Sequence, residues 1–324
     1  MTAIPKSVET VLRRLGAAGH RGYCVGGCVR DRLLGREPRD YDVTTSARPE
    51  EVISLFAPHA IPTGLRHGTV TVVSAGERVE VTTFRRDGRY ADHRRPETVT
   101  FTDSLTEDLS RRDFTVNAMA MDLDGQVADP FGGRGDLERG ILRCVGDPDV
   151  RFQEDALRIM RALRFAGELS LSIEAGTEAA LRERRELLGE IAAERILTEM
   201  NKLLCAPAAA EVLLRYPDVV GVAVPEILPA VGFDQRNRHH CYDVYAHSVR
   251  ALAAVPPEPV LRWTMLLHDL GKPETFSLDE QGVGHFFGHG KRSAEIARAV
   301  CHRLRMDRRS SEAMGQSLRW TDTP

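Results

Sequence analysis

The strongest constraint on this chain of 324 residues is a change of periodicity near residue 145. Before it, short β-branched runs alternate with helical patterns and turn signals; beyond it almost every segment repeats its apolar residues at helical spacing. A single all-β or all-α core cannot accommodate both patterns. An α+β fold is therefore predicted, with an N-terminal mixed sheet carrying helices, followed by an all-α region. The length agrees, since about 150 residues per domain implies two or three units.

Within the first part the spacing predicts a helix over 7–17, then a strand over 22–25 that runs into Gly26-Gly27 and a helix over 29–34, ended by Gly35. A strand over 41–44, a helix over 49–56 with proline near its start, and strands over 68–74 and 78–84 around Ala75-Gly76-Glu77 follow. The run RRDGRYADHRRPET at 85–98 is highly charged and nearly devoid of aliphatic residues, which predicts a mobile loop long enough to act as a lid. A weak hairpin around Asp124-Gly125 and the turn-rich Asp129-Pro130-Phe131-Gly132-Gly133 precede the helical region, which begins near Asp149. Later breaks fall at 206–218 and 256–259.

Hydrophobic residues at 42% and charged residues at 28% are ordinary globular values and exclude wholesale disorder. The apolar runs fall short of the roughly 18 residues that span a bilayer, and the N-terminus lacks a signal-peptide core, so neither membrane nor export is expected. A formal charge of -3 excludes a strongly basic nucleic-acid coat but leaves room for a local basic face. The six cysteines include no C-x2-C pair, which points to a reduced, cytoplasmic setting and to packing roles for Cys24 and Cys28.

Asp40 and Asp42 flank Tyr41 in the expected strand, so period two sends both carboxylates to one face, where they repel unless a cation lies between them. Hard oxygen ligands suit Mg2+. Spacing alone is weak evidence, because D-x-D is common on exposed strand edges. Glu80, whose apolar neighbours Val79 and Val81 face the opposite side, is placed to complete a three-carboxylate site. Upstream, Gly26 and Gly27 let backbone N–H groups approach a triphosphate, with Arg30 in the helix that follows. Further on, Arg158, Arg161 and Arg164 recur every three residues behind Asp155, beside an apolar stripe of Leu157, Met160 and Leu163. An aspartate beside an arginine offers both an acceptor and a donor fork, which suits the Watson–Crick edges of cytosine and adenine.

The combination VGGCVRDRLLGREPRDYDVTT resembles the opening signature of the nucleotidyltransferase superfamily in its tRNA nucleotidyltransferase and poly(A) polymerase branch, whose bacterial members include the class II CCA-adding enzymes. In order, LSRRDFTVNAMA at 109–120 resembles the family's ribose-binding motif, DPFGGRGDLERGILR its hinge, and EDALRIMRALRF its nucleobase-reading helix. The resemblance implies Mg2+ on Asp40 and Asp42, nucleotide contacts from Gly26, Gly27, Arg30, Arg112, Arg161 and Arg164, and a protein template of Asp155 and Arg158. Only one of the Arg111-Arg112 pair need touch the ligand. The implied reaction adds CMP, CMP and AMP to the tRNA acceptor end from CTP and ATP, releasing pyrophosphate. Poly(A) polymerases and CC- or A-adding specialists share these motifs, although Asp92-His93-Arg94-Arg95-Pro96 resembles the loop that family members need for adding A.

In the second part, His268-Asp269-Leu270-Gly271-Lys272 follows the apolar helix 261–267 and resembles the HD metal-dependent phosphohydrolase fold. That resemblance implies a second divalent ion (Mn, Ni, Co or Mg) on His247, His268, Asp269 and Asp322, with His285 and His289 as optional extra ligands. A phosphohydrolase acting on cyclic phosphates or nucleotides is the alternative function of another class, and a non-catalytic RNA-binding module is a third. The expected organisation is a nucleotidyltransferase head over 1–145, a helical neck over 146–205 and an HD-type helical domain over 206–324. Family members continue with more helical body and tail, so a shortened C-terminal region is expected.

Overall fold

The computed structural model describes residues 4–88, 98–237 and 241–319. The chain packs as two compact units, Met1–Asp155 with Ser172–Thr177, and Ala156–Leu171 with Glu178–Pro324.

The first unit runs α1 (Lys6–Ala17), β1 (Gly22–Val25), α2 (Gly27–Leu33), β2 (Asp42–Thr45), α3 (Pro49–Phe56), β3 (Ala60–Gly64), β4 (Thr69–Ser74) and β5 (Glu77–Thr83). It continues through β6 (Arg85–Asp87), β7 (Val99–Phe101), α4 (Leu105–Ser110), β8 (Ala120–Met121), β9 (Val127–Ala128), α5 (Gly133–Glu138) and α6 (Pro148–Glu154). Seven strands form one sheet in the order β3-β4-β5-β2-β1-β8-β9. Within it β2 and β5 are parallel and the other pairs antiparallel.

Alternation along the strands sorts the two faces. Val43, Val70, Val72, Val79 and Val81 are buried in one cluster with Val8, Val11, Leu12 and Leu15 of α1 and Val52 and Phe56 of α3. Each fully buried valine contributes about 1.5 kcal/mol or more. The alternate residues, Asp42, Thr44, Glu80, Thr82, Thr69 and Thr71, take the opposite face, and a register slip of one residue would exchange the two sets. At its N-terminus α3 is closed by Pro49 and by Glu51, whose carboxylate accepts the Arg48 backbone N–H at 2.7 Å.

Three local features differ from expectation. β2 starts at Asp42, so Asp40 lies in the segment before the strand rather than within it. β3 was not foreseen, because its exposed Ile61-Pro62-Thr63 lacks an apolar alternation and is held by pairing with β4. Arg85–Asp87, expected in a mobile loop, pairs as β6 with β7, Arg85 opposite Phe101 and Asp87 opposite Val99. Backbone pairing outweighs the poor β-propensity of these charged residues. The loop's Asp92-His93-Arg94-Arg95-Pro96 lies outside the described residues.

The second unit is helical: α7 (Leu157–Leu169), α8 (Ala175–Glu183, entering from the first unit), α9 (Ala193–Leu204), α10 (Ala209–Arg215), α11 (Pro217–Ala223), α12 (Val244–Ala254), α13 (Pro259–Leu267), α14 (Lys272–Thr275), α15 (His289–Arg303) and α16 (Arg308–Arg319). Leu157, Met160 and Leu163 are buried, as their spacing predicts. Trp263 of α13, 1% exposed, donates its indole N–H to Asn201 Oδ1 of α9 at 2.7 Å.

Because the indole N–H can only donate and Asn201 Oδ1 is its acceptor here, Asn201→Ala strands a buried donor. We expect a loss of about 1–3 kcal/mol in urea unfolding, the cost of one unsatisfied buried polar group.

Candidate nucleotide and metal sites

The polar sheet face carries the first site. Parallel pairing of β2 with β5 sets Asp42 and Glu80 opposite each other in register, and antiparallel pairing sets Val25 beside Asp42 on the other flank. Asp40, Asp42 and Glu80 are all exposed. Asp42 is open to solvent on one side while protein crowds it on the other. That burial pushes its carboxyl above the ordinary range, the Arg112 guanidinium opposes the shift, and the like charge of Asp40 adds to it. A cation shared by the two acids would relieve this strain, so the donor set fits a hard divalent ion. The three carboxylates do not close into one tight group. Among the described residues, the cluster whose possible ligand atoms gather within 4.8 Å of one another is in the second unit.

Beside Asp42, β1 turns into α2 through Gly26, whose φ of +81° and ψ of -131° lie where side chains are rarely tolerated. A Cβ there would stand 2.8 Å from Arg112 Nη1, so the glycine lets this guanidinium lie against the turn. Arg30 is 9% exposed and is clamped between Asn117 Oδ1, which accepts from Nη1 at 2.6 Å, and Asp31, which accepts from Nε at 2.9 Å. Asn117 Nδ2 in turn donates to Asp113 Oδ1 at 3.4 Å. Arg112 is half-buried: desolvation lowers its pKa, Arg111 lowers it further, and Asp108, Asp42 and Asp113 counter. Its Nε is buried with no hydrogen-bond partner. A half-buried guanidinium whose Nε has no hydrogen-bond partner among the described residues is suited to an anion arriving beside Asp42.

Asp108, Asp113 and Asn117 were not singled out from sequence. Asp108 is fully buried and accepts from Thr44 Oγ1 at 2.9 Å, from the Arg85 backbone N–H at 3.2 Å and from Arg111 Nε at 3.0 Å. Arg111 is thereby tied to the fold. The only signal for these residues was their place in the run around Arg111-Arg112, which cannot show which acid each arginine meets.

The expected base-reading segment is not one continuous helix. α6 stops at Glu154, Asp155 is extended (φ -139°, ψ 100°), and α7 begins at Leu157. Aspartate competes for backbone hydrogen bonds and breaks helices readily, so Asp155 does not stand one helical turn before Arg158. On α7 Arg158 and Arg164 are buried and Arg161 is half-buried. Arg164 is turned to other partners: Glu199 accepts from its Nε, Glu168 from its Nη1 at 2.7 Å, and the guanidinium lies 3.8 Å from the Phe165 ring centroid.

The second unit's cluster joins His247 of α12, His268 and Asp269. His247 Nε2 and His268 Nε2 lie 3.5 and 3.4 Å from Asp269 Oδ2, and His289 Nε2 lies 3.5 Å from Oδ1. His268 Nδ1 and His289 Nδ1 meet the carbonyls of Met265 at 2.8 Å and Phe286 at 2.9 Å. A carbonyl only accepts, so Nδ1 carries the proton and a neutral ring turns its Nε2 lone pair to the carboxylate. Lone pairs facing a carboxylate call for a cation, and imidazole with carboxylate is a set that fits one. Burial lowers the His247 pKa and His268 and Lys272 lower it further, against the pull of Asp269, favouring the neutral ligand form. Burial would raise Asp269, but His268, Lys272 and His247 outweigh it and hold the carboxyl low. Lys272 Nζ is 2.7 Å from Asp269 Oδ2. His285 stands apart, paired with Asp279 at 2.9 Å, and Asp322 lies outside the described residues.

The sequence profile described as Poly A polymerase head domain matches residues 22–143, the one described as Probable RNA and SrmB- binding site of polymerase A matches 170–216, and the HD domain matches 238–322. The CCA-adding enzyme of Geobacillus thermodenitrificans (strain NG80-2) is 46% identical over 265 residues, covering 82% of this chain and 63% of that protein. That of Lactobacillus helveticus (strain DPC 4571) is 55% identical over 197 residues, covering 61% and 49%. The chain thus spans between about half and just under two thirds of these curated relatives' length. Among solved structures, the Bacillus stearothermophilus CCA-adding enzyme in complex with CTP superposes with a TM-score of 0.66 at 34% identity, covering 98% of this chain and 78% of that one. A tRNA nucleotidyltransferase complexed with a primer tRNA and an incoming ATP analog gives a TM-score of 0.58 at 30% identity, covering 79% and 74%. No helix among the described residues is long and apolar enough to cross a membrane.

The electrostatics around Asp42 can be checked without substrate. Carboxyl titration followed by carbon-13 NMR should show the Asp42 pKa falling in Asp40→Asn, which removes a like charge, and rising in Arg112→Met, which removes the compensating cation. Equal pKa values in the three proteins would contradict the assigned geometry.

Proposed function

Because this chain belongs to the CCA-adding enzyme family of nucleotidyltransferases, we propose that it adds CMP, CMP and AMP to the 3′ end of tRNA and releases pyrophosphate. The observation that carries the reading is the in-register placement of Asp42 and Glu80 on the polar face of the sheet, beside the half-buried Arg112. Asp40 and Asp42, with Glu80, are assigned to Mg2+. When bound, Mg2+ neutralises the triphosphate and lowers the pKa of the terminal ribose hydroxyl. Gly26 and Gly27 bring backbone close to the triphosphate, Arg112 and Arg30 offset its charge, and the Asp31 and Asn117 contacts hold Arg30 rigid so that little reorganisation accompanies reaction.

Asp155 supplies an acceptor and Arg158 a donor fork for the base edge, with Arg161 as an auxiliary cation. Arg164 is left out of the nucleotide set because Glu199 and Glu168 engage it. CTP, ATP and the tRNA acceptor end are the partners, and the cytoplasm is the assigned compartment, in keeping with six free cysteines.

A tRNA ending at its discriminator base provides the test. CTP alone should add two residues, both nucleotides together three, and ATP alone none. Asp42→Asn should lower transfer by about 10³-fold, the scale of losing one main electrostatic stabiliser. A long adenosine ladder from ATP alone would support poly(A) synthesis instead.

The His247, His268 and Asp269 cluster favours a second, phosphohydrolase activity in the same chain, on a divalent ion such as Mn, Ni, Co or Mg. In Mn2+ titrations monitored by electron paramagnetic resonance, His268→Ala should remove one class of site and leave the Asp42-dependent class. An unchanged stoichiometry would count against the cluster as a metal site.

A further inference from the structure

Sheet order divides the surroundings of Asp42 into two flanks. Every residue assigned to the incoming nucleotide's phosphates, Gly26, Gly27, Arg30 and Arg112, comes from the β1 and β8 side of β2. On the other side, β5, β4 and β3 continue the same polar face. Register carries one row across it: Asp42 opposite Glu80, Glu80 opposite Thr71, and Thr71 hydrogen-bonded to Thr63 of β3, the two hydroxyl oxygens 2.9 Å apart. Thr63 and Glu80 are exposed, whereas Thr71 is 5% exposed. Arg78 is also exposed and lies two residues from Glu80 on the same strand face, adding a cation beside the row.

We propose that this row is the track of the RNA primer's 3′ strand, with Thr63 binding a ribose 2′-hydroxyl and Thr71 acting as its positioning residue. The inference rests on the nucleotidyl-transfer reading above. A nucleophile attacking the α-phosphorus must approach from the side away from the departing pyrophosphate, and the phosphate-binding groups occupy the β1 side. Within a hydroxyl pair one oxygen donates and the other accepts, which leaves one hydroxyl proton and spare lone pairs for a third hydroxyl. Thr71, nearly enclosed, has little surface for RNA, so it orients the exposed Thr63. Strands about 4.8 Å apart put Thr63 three spacings, about 14 Å, from Asp42. It therefore meets a nucleotide preceding the terminal one, whose own ribose lies over Asp42 and Glu80. Arg78 attracts the phosphates that Glu80 alone would repel.

The test uses the full chain and a tRNA ending in its two added cytidines, with a single 2′-deoxy substitution at the last, second-last or third-last nucleotide. AMP addition by the wild-type protein should lose about tenfold in kcat/KM at the second-last or third-last position, the scale of one hydrogen bond. Thr63→Val and Thr71→Val should each abolish that discrimination by raising KM for the all-ribose primer, with KM for ATP unchanged. Thr63→Ser, which restores the hydroxyl, should retain it. Discrimination that persists in both valine variants, or a KM for ATP that rises with that for primer, overturns the track. A wild-type chain that transfers no nucleotide to any primer instead defeats the underlying reading.

Discussion

The parallel pairing of β2 with β5 is the constraint on which the rest of the first unit depends. It is the only parallel pair in the seven-stranded sheet, and its register places Val43 beside Val81 on one face and Asp42 beside Glu80 on the other. Burial of the valines against α1 and α3 makes any slip costly, because a strand that slipped by one residue would carry its carboxylate into the apolar layer and its valine out of it. Hydrophobic energy on one face thus fixes the geometry of charge on the other.

Buried polar contacts extend that control to the edges of the site. Asp108 joins Thr44 of β2 to Arg111 and to the backbone at the start of β6, so the strand bearing Asp42 and the segment bearing Arg112 cannot move independently. Asn117 does the same for Arg30 and Asp113. These networks stay compact because each acid has its arginine or hydroxyl partner, which is the condition under which buried charge is tolerated. The second unit uses the same principle around Asp269, where three imidazoles and an ammonium converge on one carboxylate.

Much of this was readable in the sequence where local chemistry decides. Alternation fixed the faces of β4 and β5, the glycine pair marked the turn into α2, and the α3 boundaries followed from Pro49 and its acidic first turn. Long-range pairing was not readable. β3 forms because β4 offers it an edge, Arg85–Asp87 become a strand because 99–101 pair with them, and the roles of Asp108 and Asn117 depend on partners tens of residues away. Periodicity also misled at Asp155, where an unbroken three-residue spacing concealed a break between two helices. Arg164 fits the same spacing, yet the acids within reach, Glu168 and Glu199, engage it.

The central claim is that the carboxylates of the sheet face hold the metal while the β1 flank holds the nucleotide's phosphates. Crystals grown with Mn2+ and a non-hydrolysable CTP analogue, examined by anomalous diffraction, address it directly. The account predicts an anomalous peak at about 2.1 Å from carboxylate oxygens of Asp40 and Asp42, with the triphosphate lying against Gly26 and Arg112. A triphosphate bound over Glu80 and Thr71, or Mn2+ found only at His268 and Asp269, would contradict it.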